Sequence, residues 1–232
     1  MAVKKIWLNF ISLLLAFLVC FIFINSATVY NAASVINSGK KKIVIDAGHG
    51  GFDGGASVDD ILEKDINLVI AKNLKCLISM FGYDIIMTRE TDCAINTDGN
   101  SIRTKKISDM KNRLKIMQAY PEAEFVSIHL NKYSTSAPKG LQVFYSPNDE
   151  RSFTLAQNIQ QTVKMVLQSQ NHRKVKKATK DTYLLYNSPI PAVIIECGFL
   201  SNLQDKENLI NTEYQQKLAF ACFCGIITNN NL

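Results

Sequence analysis

At 232 residues the chain is long enough for one well-buried domain and too short for a second full one. Its 47% apolar and 20% charged shares are those of an ordinary globular protein. A net charge of +6, spread along the sequence, is too weak and dispersed for a nucleic-acid binder, though it suits an anionic wall or membrane surface.

Lys4 and Lys5 precede an apolar run from Ile6 to Ile24, interrupted by Asn9 and Ser12, and the next basic residue is Lys40. A run of about 20 apolar residues spans a bilayer, and its charged flank sets the amino terminus in the cytoplasm. Residues 1–25 therefore read as a signal peptide or a retained membrane anchor, and either one exports the rest of the chain. Residues 26–40 are small and polar and read as a linker, leaving 41–232 as the globular domain.

Lys42-Ile43-Val44-Ile45-Asp46 predicts a short buried strand, broken by the glycine-rich stretch Gly48-His49-Gly50-Gly51. From Leu62 to Phe81, Ile66, Ile70, Leu74 and Ile78 recur at helical spacing, and Gly82 supplies the stop. A second strand is expected at Tyr83–Thr88, then a polar loop and a helix over about 109–119. Further strands are expected at Phe125–Asn131, Leu141–Tyr145, Tyr183–Tyr186 and Ala192–Gly198. Leu155, Ile159 and Val163 mark a helix before the basic stretch Asn171–Asp181, and a closing helix covers about 213–227. Alternating strands and helices with apolar strand cores predict a single α/β domain, three-layer α/β/α, around a mostly parallel, mixed sheet of about six strands. The six cysteines, at 20, 76, 93, 197, 222 and 224, show no zinc-ribbon or C-x-x-C spacing, and no disulfide framework is expected.

Chemistry concentrates at the predicted strand ends: Asp46 and His49, His129, and Glu196. Parallel strands would bring these ends to one edge, where α/β domains form their sites. Two imidazoles and a carboxylate are a set that can hold zinc with a fourth position open. Asp53, Asp59, Asp60, Glu63 and Asp65 compete for the carboxylate role, with Glu63, at the start of the long helix, best placed. The plainer alternative is a polar cluster that stabilises loops. Glu196 closes the run Ala-Val-Ile-Ile, where burying a carboxylate is costly unless it is paired. Its alternatives are a general base of raised pKa or a residue satisfied by backbone amides of a Cys197-Gly198 turn.

Asp46-Ala47-Gly48-His49-Gly50-Gly51, Leu62-Glu63-Lys64-Asp65, Thr88-Arg89, Ser127-Ile128-His129-Leu130-Asn131 and Glu196-Cys197-Gly198-Phe199-Leu200-Ser201-Asn202 occur in this order. Together they resemble the zinc-dependent N-acetylmuramoyl-L-alanine amidases of bacterial cell walls, over residue 42 to the carboxyl terminus. The short chain, without added wall-binding repeats, looks most like the germination-specific spore cortex branch. The resemblance implies Zn2+ held by His49, Glu63 and His129, with Glu196 as the catalytic carboxylate. It implies hydrolysis of the bond between N-acetylmuramic acid and L-alanine in peptidoglycan, on the route to muramic-δ-lactam in spore cortex. Arg89 is expected to be structural, pairing near Asp92, and Arg113 to support its helix. Ala47 stands where many relatives have proline. Cys197 reads as packing and His172 as part of a solvated basic loop. The expected partners are the peptidoglycan glycan strand with its stem peptide, the membrane through an uncleaved amino-terminal segment, and a possible accessory protein, with no nucleic acid. The rival readings are a zinc peptidase acting on the stem peptide and a catalytically silent wall-binding module.

Overall fold

The structure is a computed structural model that describes residues 41–228. The expected signal or anchor and the linker lie outside the described residues. Among the described residues no helix is long and apolar enough to cross a membrane.

The elements follow one another as β1 (Lys42–Ala47), β2 (Ser57–Val58), β3 (Ile61–Leu62), α1 (Glu63–Met80), β4 (Asp84–Met87), α2 (Ile102–Ala119) and β5 (Glu124–Asn131). Then come β6 (Gln142–Tyr145), α3 (Glu150–Val166), β7 (Lys176–Lys177), α4 (Tyr183–Tyr186), β8 (Ala192–Phe199), α5 (Leu203–Ile210) and α6 (Thr212–Thr228). A six-stranded sheet has the order β4-β1-β5-β8-β6-β7. β4, β1, β5 and β8 run parallel, and β6 turns antiparallel to β8. The carboxyl ends of β1, β5 and β8 therefore share one edge with the start of β6.

Period-two alternation splits the strand residues between two apolar layers. Ile43, Ile45, Val126, Ile128, Val193 and Ile195 pack with Ile70 and Leu74 of α1, Leu155 and Ile159 of α3, and Leu218 and Cys222 of α6. Val44, Phe125 and Ile194 face the other way, onto Met117 of α2 and Leu184 and Leu185 of α4. The result is the three-layer arrangement expected, with the central strands β1, β5 and β8 buried on both faces.

Several elements differ from the sequence expectation. Tyr183–Tyr186 is one helical turn, not a strand: Tyr186 N–H donates to the Thr182 carbonyl at 2.9 Å, and Asn187 closes on the Tyr183 carbonyl through both its backbone N–H and its side chain. Leu184 and Leu185 are both buried, which a half-buried strand would not allow for successive residues. The sixth strand is instead the exposed pair Lys176–Lys177, and lysines on a sheet edge oppose pairing with another chain. α2 begins seven residues before the expected 109, because Ser101 and Thr104 form a reciprocal capping box. Its inward residues include Ser108, Asp109 and Arg113, so apolar periodicity exposes only its second half. α5 was not expected; the Asn202 side chain caps it by accepting from Asp205 N–H.

Candidate active site

The loop after β1 is held from beneath by buried charge. Asp46 is fully buried and accepts from the Thr88 hydroxyl at 2.7 Å, the Ser127 hydroxyl and the Arg113 guanidinium. Burial alone would raise the Asp46 pKa, but Arg113, His129 and the two hydroxyls outweigh it and keep the carboxyl below its ordinary value. Arg113 also pairs with Asp109 at 2.7 Å and donates to the carbonyls of Ala47 at 3.1 Å and His49 at 2.9 Å. Arg89 clamps the same loop, donating to the carbonyls of Ala47, Gly48 and Lys64 at 2.9, 3.0 and 2.7 Å. It does not bond Asp92 as expected: Asp92 binds Lys64 at 2.7 Å and the Gly51 N–H at 2.8 Å. Nor is Arg113 merely a helix support, since its guanidinium carries the backbone under His49.

His49 takes a left-handed conformation, φ 61°, which few residues other than glycine adopt. Its Nδ1 lies 2.8 Å from Asp53 Oδ2, and Asp53 in turn pairs with Lys106 at 2.8 Å. Its Nε2 faces Glu63 Oε1 at 3.3 Å. Burial opposes charge on this imidazole, but the Asp53 and Glu63 carboxylates prevail and raise it to about 9.

Glu63 opens α1 and is buried. Its Oε2 accepts from Ala56 N–H at 2.7 Å, and its Oε1 from Leu130 N–H at 3.0 Å and Asn67 Nδ2 at 3.2 Å. His129 Nδ1 approaches the same Oε1 at 3.0 Å. Burial would raise the Glu63 pKa, yet the two imidazoles hold it far below the carboxylate range. The rings of His49 and His129 stand edge to face with centroids 4.9 Å apart. His49, Glu63 and His129 each offer one atom within 4.8 Å of the others, a group that could hold a metal ion.

Two glycines make room for this cluster. A Cβ on Gly48 would strike the His129 ring, and one on Gly55, at φ +71°, would come within 2.6 Å of Glu63 Oε2. The other carboxylates weighed for this position are not members of the group. Asp53 orients His49, Asp59 pairs with Lys206 at 2.8 Å, and Asp60 and Asp65 are exposed.

Glu196 lies on β8 directly across from His129 on β5, so the two side chains share a sheet face. Its Oε2 is shielded from solvent and has no hydrogen-bond partner among the described residues. Burial raises its pKa, partly offset by His129. The turn-amide alternative fails. Cys197 and Gly198 continue the strand, and Phe199 N–H donates to Asp205 at 2.9 Å. Cys197 is buried in the apolar layer on the opposite face, and burial pushes its thiol well up. His172 is exposed and stands outside the cluster.

The orienting role of Asp53 and the Asp46–Arg113–Asp109 network escaped the sequence reading. Asp109 and Arg113, four apart on a helix with a polar inner face, were the available signal.

The N-acetylmuramoyl-L-alanine amidase family profile matches residues 43–228. The germination-specific N-acetylmuramoyl-L-alanine amidase of Bacillus subtilis (strain 168) is 34% identical over 97% of this chain and 94% of its own length. The solved CwlD amidase of Clostridioides difficile, in complex with the GerS lipoprotein, is 40% identical with a TM-score of 0.79, covering 83% of this chain and 99% of that one. An N-acetylmuramoyl-L-alanine amidase from Clostridium difficile 630 is 28% identical with a TM-score of 0.71, covering 84% of this chain and 98% of that one. On the length of these matches, the chain belongs to the N-acetylmuramoyl-L-alanine amidase family.

Proposed function

We propose that the chain hydrolyses the amide joining N-acetylmuramic acid to L-alanine in peptidoglycan, with spore cortex as its target. The observation that carries this reading is the unpartnered, shielded Oε2 of Glu196 across the sheet from His129. A buried carboxylate without a hydrogen bond costs stability, and a catalytic role explains why it is kept.

Two imidazoles and one carboxylate match the donors zinc takes in catalytic sites, and Asp53 on His49 Nδ1 is the outer partner such a ligand needs. His49, Glu63 and His129 would hold the ion. The chemistry zinc supplies when bound is polarisation of the scissile carbonyl and a lowered pKa for the attacking water. Glu196 does the proton transfer: its Oε2 takes a proton from that water and returns it to the leaving amine of L-alanine. Desolvation keeps this carboxylate basic enough for the task. The other product carries a free lactyl carboxyl, which a second enzyme can close to muramic-δ-lactam.

We read residues 1–25 as the export signal or anchor that delivers the domain outside the cytoplasmic membrane. An accessory lipoprotein is part of this reading, supported by the 40%-identical amidase solved with one. The test is mass spectrometry of muropeptides from digested sacculi. Glu196→Ala should retain zinc and release no peptide with a free L-alanine amino terminus. His49→Ala and His129→Ala should lose the metal by elemental analysis. Shortened stem peptides in place of free L-alanine termini would identify a peptidase.

A further inference from the structure

One strand away from Glu196, beyond Gln142, lies a cation that the reaction above does not use. Gln142, on β6, is directly across from Glu196, so their side chains share a face of the sheet. Its amide is committed at both ends: Oε1 accepts from Arg173 Nη2 at 2.6 Å and Nε2 donates to the Lys174 carbonyl at 2.9 Å. The register of β5 and β8 shifts just past Glu196, pairing Phe199 with Asn131, two residues beyond His129 and on its face. The Arg173 guanidinium stacks on the Phe199 ring, 4.8 Å from its centroid. Both contacts fix the planar fork in place. Neither neutralises it. Among the described residues no carboxylate lies within ion-pair distance of Arg173, and its Nε is shielded without a partner.

Arg173 lines a cavity of about 570 Å³ together with Lys139. The carboxylate in that lining, Asp205, is occupied, accepting from Gly140 N–H at 2.8 Å and Phe199 N–H at 2.9 Å. Arg173 and Lys139 thus set two cations along this cavity, and the residues that hold the guanidinium, Gln142 and Phe199, stand outside its lining, with Gln142 on the Glu196 face of the sheet. A stacked, oriented guanidinium matches a carboxylate in shape and charge.

We propose that the Arg173 guanidinium, held by Gln142 and Phe199, binds a carboxylate of the peptide on the leaving side of the scissile amide. The inference rests on the amidase reading and deepens it. Adjacent strands lie about 4.8 Å apart, and one glutamine side chain and one hydrogen bond lie beyond, so Arg173 is on the order of 10 Å from Glu196. An extended peptide covers ~3.4 Å per residue, so the carboxylate belongs to the second or third residue after the cut.

The experiment uses the zinc-loaded full chain and two synthetic muramoyl peptides, one with a free carboxylate at the second stem residue and one with that group as its amide. Wild type should favour the carboxylate substrate by about tenfold in kcat/KM, as a charged hydrogen bond implies. Arg173→Met should erase that preference by raising KM for the carboxylate substrate, with kcat, zinc content and turnover of the amide substrate preserved. Arg173→Lys keeps the cation without the fork and should fall between; if the Met variant does not fold, this variant and the wild-type comparison decide. No preference in wild type, or equal losses on both substrates in the variants, overturns the subsite, the second result pointing to a structural role for Arg173 instead. Wild type that cleaves neither peptide sinks the amidase reading, and the subsite with it.

Discussion

Replacing Arg113 by methionine tests whether the active-site loop rests on a buried ion network. The side chain is 2% exposed, and the carboxylate it neutralises, Asp46, is fully buried. Methionine fills much of the volume but removes the bonds to Asp46, Asp109 and the carbonyls of Ala47 and His49. Removing one partner of a buried pair leaves an uncompensated charge, at about 3–5 kcal/mol. That is a large part of the ~5–15 kcal/mol that holds a domain together. For a domain of this size each kcal/mol moves Tm by about 2–4 °C, so the expected fall is roughly 6–20 °C. Thermal and urea unfolding of the metal-free protein read the loss, and zinc titration reads whether His49 is still presented. Adding Asp46→Asn to the methionine variant should recover part of the loss, because the orphaned charge is then gone. A methionine variant within about 1 kcal/mol of wild type would refute the network's importance. A double variant at least as unstable as the sum of the singles would refute the pairing itself.

Asp53→Ala should weaken zinc binding about 10–100-fold, the usual cost of losing an outer partner of a ligand, while unfolding midpoints change little. Unchanged affinity in competitive chelator titrations would show that His49 is oriented by its backbone alone. Gly55→Ala sets a Cβ against Glu63 at a φ of +71°, so zinc should be lost although α1 stays folded by circular dichroism. Normal zinc content in that variant would mean the loop relaxes freely. Asp46 has a folded pKa below its ordinary 3.8, so its stabilisation is complete above that value and disappears as pH falls through the folded one. Urea midpoints of wild type should therefore drop on acidification below about pH 4, and those of Asp46→Asn should start lower and drop less. Parallel curves for the two proteins would exclude Asp46 as a source of acid sensitivity.

What could be read from the sequence was whatever is encoded locally. The β-branched run of β1 and the four-residue spacing of Ile66, Ile70, Leu74 and Ile78 announce their elements because burial is periodic along them. The strand ends carrying His49, His129 and Glu196 were conspicuous because polar groups are costly there. Tyr183–Tyr186 misled because four apolar and aromatic residues satisfy a strand and a single helical turn equally well; backbone closure by Thr182 and Asn187 decided between them. α2 was half hidden because its inner face meets charge rather than hydrocarbon.

The remaining gap concerns what lies behind the ligands. Glu63 stood out among the competing acids by its place at the start of α1, but what holds it was hidden: Ala56, Asn67 and Leu130 converge on its oxygens from three different parts of the chain. Asp53 looked like a rival ligand because sequence spacing cannot tell a group that holds an ion from one that holds the holder. The distinction is geometric: Glu63 faces both imidazoles, whereas Asp53 takes the far nitrogen of one. Arg113 shows the same dependence on tertiary structure, since its partner Asp46 is 67 residues away. A site assembled at a sheet edge thus advertises its reactive groups, which sit at element boundaries, and conceals the groups that aim them. Substitutions behind the ligands, at Arg113 and Asp53, are therefore the sharper test of how this loop presents His49.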